Sequence, residues 1–194
     1  RNKEFRMLLL IVFLNLLSVP VISWAVYKPL RVLAADGTEF PVYLMYCVEL
    51  PEKKEDENTL YQESMNFVNV SVGQIQHYPR VTFCSTEECF QAFGFHAPAK
   101  AKTVGMSGIV IGPDGWKKHI LRHEIIHHLQ SERLGVLGQW RSPPWFKEGM
   151  AYSLSMDTRK LSEPFESHRE KFQSWYGRIG KQDMWQAAKN KTGW

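Results

Sequence analysis

His123 and His127 stand four residues apart with Glu124 beside the first, in the order H-E-I-I-H, and a further carboxylate, Glu148, follows 21 residues after His127 in the stretch W-F-K-E-G-M-A. On a helix, positions four apart differ by about 40° around the axis and about 6 Å along it. Two imidazoles leaning together from such positions reach one ion at about 2.0–2.1 Å. Glu124 is turned about 100° from His123. That places it beside the ion rather than on it, where a carboxylate can take a proton from a metal-activated water. One helix cannot surround a tetrahedral ion, so a third ligand must come from another element, and Glu148 is the candidate. A fourth position left to water separates a catalytic zinc from a structural one. These residue types at this spacing point to hydrolysis assisted by a single zinc ion.

Together, H-E-I-I-H and W-F-K-E-G-M-A-Y resemble the gluzincin group of zinc metallopeptidases, the thermolysin-like enzymes, over roughly residues 107–155, about a quarter of the chain. The resemblance implies a zincin-like fold, a peptide or protein substrate, His123, His127 and Glu148 as zinc ligands, and Glu124 as general base. The chain departs from the family pattern at Tyr152, four residues after Glu148, where thermolysin-like enzymes carry an Asp that orients a ligand His. A metal-bound His donates its other N–H to a carboxylate, a carbonyl or water, so Tyr152 or a backbone carbonyl is expected in that role. His119, one turn before His123, is a rival ligand. His128, about 100° from His127, is expected to be packed or solvated. Acyl transfer also needs a donor for the developing oxyanion, and Tyr152, His168 and Tyr176 are the candidates. The alternative reading is a non-catalytic zinc-binding scaffold or regulatory protein of the cell envelope; an intact Glu124 argues against it, because a scaffold has no chemical use for the base.

The elements that must position these groups read as α+β. Pro113-Asp114-Gly115 signals a turn, with Asp114 as a cap for the next helix. Ile120, Leu121, Ile125 and Leu129 recur at helical spacing, and Gly135 ends the run. Upstream, residues 30–50 read as a hairpin turning near Asp36-Gly37, with Phe40–Val48 apolar on both faces as a covered strand would be. Residues 59–72 and 86–93 read as helices and 80–84 as a strand. Glu52–Glu57 reads as a solvated charged loop and 97–104 as a basic loop. Ser107–Gly112 reads as a strand just before the site helix; in gluzincins a strand in this place lies along the cleft and pairs with the extended substrate. Pro143-Pro144 opens a helix over Trp145–Met156, and Glu163–Trp175 and Lys181–Lys189 follow as further helices. The expected fold is a small mixed sheet preceding the H-E-x-x-H helix, then a short, mostly helical C-terminal lobe. Trp140, Trp145, Trp175, Trp185 and Trp194 are expected in the core or the cleft wall.

Residues 7–27 form a nearly unbroken apolar run preceded by Arg1, Lys3 and Arg6. Residues 1–27 therefore read as a signal peptide or a signal-anchor transmembrane helix, with Ser23-Trp24-Ala25 as a small-x-small cleavage signal. The remainder, 28–194, reads as one domain. The basic flank places that domain on the outer side of a membrane, anchored or released. The net charge is +4, and residues 26–194 hold only 21 basic against 19 acidic side chains. No cluster of cations interleaves with aromatics, so no nucleic-acid partner is expected. Of three cysteines, either Cys84 and Cys89 pair in an exported protein and Cys47 stays free, or all three are buried thiols.

Overall fold

The computed structural model describes residues 2–29, 31–32, 42–43, 46–48, 54–191 and 193. In chain order the elements are α1 (Asn2–Val26), β1 (Val42–Tyr43), β2 (Tyr46–Val48), α2 (Lys54–Ser71), β3 (Val81–Phe83), α3 (Glu87–Ala92), β4 (Ala101–Val104), β5 (Gly108–Ile111), α4 (Lys118–Leu134), α5 (Val136–Arg141), α6 (Pro144–Leu154) and α7 (Phe165–Lys189). The strands form one mixed sheet in the order β1-β2-β3-β5-β4, with β2, β3 and β5 parallel and β1 and β4 antiparallel to their neighbours. The chain is thus α+β, with its sheet before α4 and helices after it, as the sequence predicts.

Strand β5 explains why the sheet has two covered faces. Every residue in it is buried, and alternate side chains of a strand point to opposite faces. Ile109 and Ile111 enter the larger core with Leu121, Ile125, Leu129, Phe146 and Trp175. Val110 enters a smaller core with Phe90, Phe93 and the Cys84–Cys89 pair. Those two cysteines form a disulfide with a Cα–Cα distance of 5.4 Å. It closes onto α3, where the Thr86 side chain caps the helix by accepting from the Cys89 N–H.

Several sequence expectations need correction. Ser107–Gly112 does contain a strand, but β5 is paired on both sides, by β3 and β4. It has no free edge to offer a substrate. The edge lies on β4, within the stretch read as a loop; its alternating A-K-T-V pattern is too short and too polar to stand out. Phe40–Val48 is not one strand, since Val42 and Tyr43 pair back on Cys47 and Tyr46. The turn expected at Asp36-Gly37 lies outside the described residues. The charged run at 52–57 is not wholly a solvated loop: α2 begins at Lys54 and Glu57 is buried. Asp114 does not cap α4, because Pro113–Gly115 form a separate 3-10 turn and Lys117 occupies the cap position. Two of the C-terminal helices are one element, α7, broken at Gly180, whose φ of 80° is left-handed. Trp145 and Trp175 are core residues, but Trp140 is exposed and Trp194 lies outside the described residues.

In α1, Phe5 and each residue from Met7 to Leu14 are exposed. The membrane segment expected there falls partly on side chains outside the described set, at 16–17 and 19–26. Among the described residues no helix is long and apolar enough to cross a membrane.

Candidate metal centre

Two helices build the site. In α4, Leu121, Ile125 and Leu129 are fully buried against the sheet, and this fixes the rotation of the helix. His123 and His127 then face Glu148 of α6, with only 12% of each side chain exposed. Helix α6 starts with Pro144 in its first turn, where the missing N–H costs nothing. It buries Trp145, Phe146, Met150 and Ala151, which turns Glu148 toward α4. Gly149 sets how closely α6 meets α7: a Cβ there would lie 2.2 Å from the His168 carbonyl oxygen. The G after the E of the W-F-K-E-G-M-A stretch is thus a packing requirement, and any larger residue must push the two helices apart.

These helices bring His123, His127 and Glu148 together, with ligand atoms all within 4.8 Å of one another. The Nε2 atoms of His123 and His127 are 3.1 Å apart, and Glu148 Oε2 lies 3.5 Å from the first and 3.6 Å from the second. Three tetrahedral ligands at about 2.0–2.1 Å from a zinc ion are separated by about 3.4 Å from each other. The observed triangle is close to that spacing on all three sides, so the donor set could hold one metal ion of that size. Glu148 keeps 29% of its side chain exposed, which leaves the cluster open to solvent on that side. The electrostatics agree. Burial pushes the Glu148 carboxyl up, but hydrogen bonds from His123 and His127 and their charge reverse this and hold it well below the usual carboxylate range. Burial pushes His127 down, yet the hydrogen bond and charge of Glu148, with Glu124 and Gln130, raise it. A carboxylate held ionised between two imidazoles favours a positive charge at the centre.

Glu124 is buried and does not belong to the triangle. Thr103 of β4 donates its hydroxyl proton toward the Glu124 carboxylate at 2.7 Å and lies 2.8 Å from the Glu124 carbonyl oxygen. The edge strand therefore holds the carboxylate in place.

Orientation of His127 comes from Gln130. The buried Gln130 amide donates through Nε2 to the Lys147 carbonyl at 3.0 Å, so its Oε1 faces His127 Nδ1 at 2.9 Å. That arrangement puts a proton on Nδ1, so that the neutral ring, once Nε2 gives up its own proton, directs the Nε2 lone pair into the triangle. Because Lys147 precedes Glu148, one amide ties both ligand-bearing helices together. Sequence reasoning missed it, although a glutamine three residues after a ligand on a helix is a neighbour on the same face. Gln130→Ala is expected to weaken zinc binding about 10- to 100-fold without unfolding α4, as read by competition against a chromophoric chelator.

Among the other candidates, Tyr152 packs edge-on against His123 with ring centroids 4.4 Å apart. Burial, and then the charge of Glu148, raise its phenol to about 12. His168 lies against Phe165 on α7 and is not a member of the triangle, and Tyr176 stacks on the core residue Phe172. His119 is not a member of it either. Burial lowers the His119 pKa, opposed by the charge of Asp157. His128 is buried and its Nε2 lies 2.6 Å from the His77 carbonyl oxygen, a structural bond. In comparison with known proteins, no family model matches the chain, and neither a curated protein nor a solved structure matches it.

Proposed function

We propose that the chain is a zinc-dependent metallopeptidase with a zincin-like fold, resembling the gluzincins. The observation that carries this reading is the triangle of His123, His127 and Glu148 with a buried, non-ligating Glu124 beside it. His123, His127 and Glu148 would hold a zinc ion, which when bound would supply Lewis acidity for water and for a scissile carbonyl. Glu124, steadied by Thr103, receives the proton of the attacking water and delivers it to the leaving nitrogen. Tyr152 stands beside His123 with a phenol that stays protonated at neutral pH; it is the best placed of the three candidate oxyanion donors. The outer edge of β4 is the strand on which an extended substrate backbone docks, since Thr103 places that strand next to the base.

The domain works outside the cytoplasm, anchored by residues 1–27 or released from them. The Cys84–Cys89 disulfide supports an oxidising compartment, and the exposed apolar side chains of α1 support an apolar environment for that helix. The test is metal dependence. Peptide-library cleavage is expected to fall to background after chelation and to return with one equivalent of zinc. Cleavage that survives complete metal removal would exclude the reading.

A further inference from the structure

Helix α5 turns an apolar face outward. Val136, Leu137 and Trp140 are 49%, 67% and 71% exposed. At about 100° per residue they share one side of the helix, and Arg141, one turn after Leu137, borders it. Beyond Arg141 opens a cavity of about 330 Å³ whose charged lining is entirely basic: Arg133, Arg141, Lys189 and Lys191. These come from the ends of α4 and α5 and from the end of α7 and just after it. Arg133 is held in place by donating to the Gln74 carbonyl. Among the described residues none of the four is in an ion pair. The surface is fixed to the domain, because Lys147 of α6 donates to the Trp140 carbonyl at 3.3 Å.

We infer that this surface docks on an anionic lipid bilayer, with Trp140, Leu137 and Val136 at the boundary between headgroups and acyl chains and the four cations on lipid phosphates. An exposed tryptophan within an apolar face suits that boundary. Each cation near an anionic surface strengthens binding about fivefold. A nucleic acid would use the cations and leave the Val-Leu-Trp face in water. A second copy of the chain meeting this patch with its own would set the four cations against four more. Only an anionic lipid surface uses both halves. The inference does not depend on the metal site.

The test uses the full chain with vesicles of phosphatidylcholine alone and with vesicles in which a third of the lipid is phosphatidylglycerol. Amide exchange across residues 135–142 is followed by mass spectrometry. Arg1, Lys3 and Arg6 at the N-terminal end of the chain also favour anionic lipid, so the basic surface is read from local protection at 135–142 and from the substitutions within it. Exchange is expected to slow on the anionic vesicles only. Protection should fall about fivefold for each of Arg141→Gln, Lys189→Gln and Lys191→Gln, and it should fall on the unmutated chain when salt shortens the screening length. The inference is overturned by equal protection on both vesicle types, by none on either, by protection from inorganic phosphate or DNA without lipid, or by protection that grows with protein concentration in solution.

Discussion

Glu124→Gln is expected to retain its zinc and lose nearly all peptide hydrolysis. Glutamine matches glutamate in size, and its amide oxygen can still accept from Thr103, which now lies 2.7 Å from the carboxylate. The side chain therefore stays where it is. What it loses is the ability to take a proton. A general base contributes about 10²–10⁴-fold, so the rate should drop by at least that, about 3–5 kcal/mol in the barrier. The three atoms of the triangle do not include Glu124, so metal content should be unchanged by elemental analysis. The variant separates the two functional readings. A zinc-loaded wild type that cleaves nothing in a broad peptide library would favour the scaffold; a variant within tenfold of a competent wild type would remove Glu124 from the role of base.

Loss of a ligand should show in metal binding before it shows in activity. His123→Ala and His127→Ala are each expected to abolish stoichiometric zinc, and Glu148→Gln to weaken it by two orders of magnitude or more. Closed structural zinc sites derive about 10–16 kcal/mol from four protein ligands together, on the order of 3 kcal/mol per ligand, and a site with only three protein ligands has no spare one to lose. His119→Ala should leave zinc in place, because His119 lies outside the triangle. The reverse pattern, zinc stripped by His119→Ala and untouched by Glu148→Gln, would refute the ligand set. Affinity should also depend on pH with a definite sign. Zinc needs the neutral imidazole, and His127 holds its proton more firmly than a free histidine does. Binding is therefore full above that raised pKa and declines as pH falls through it.

The two histidines of the triangle were legible because they are written in short-range spacing. The H-E-I-I-H repeat, the apolar positions at 120, 121, 125 and 129, the Gly135 stop and the Pro144 start are all local patterns, and each has its counterpart in α4 or α6. The close cysteine pair was readable for the same reason. Glu148 was legible as a candidate but not as a neighbour of the two histidines, since nothing in the linear sequence between them fixes how two helices cross. Some failures were local, such as Gln130 and the Asp114 cap; those in the sheet came from strands too short or too uniformly apolar to carry a pattern. A four-residue edge strand has too few positions to show a period, so β4 and its Thr103 went unseen, and the free edge was assigned to its neighbour. The hairpin register was misread because a run that is apolar on both faces carries no phase.

By itself, the sequence determined which side chains can bind metal and which helices carry them, because helical periodicity converts spacing into a shared face. Only the tertiary structure decided that the triangle has sides of 3.1, 3.5 and 3.6 Å, that Gln130 orients His127, and that β4 closes the sheet beside the base. Those distances follow from the packing of α4 against the sheet and of α6 against α7, where buried apolar volume and the bare Cα of Gly149 set the approach. Contacts of that kind join residues that are remote along the chain, and no local pattern encodes them.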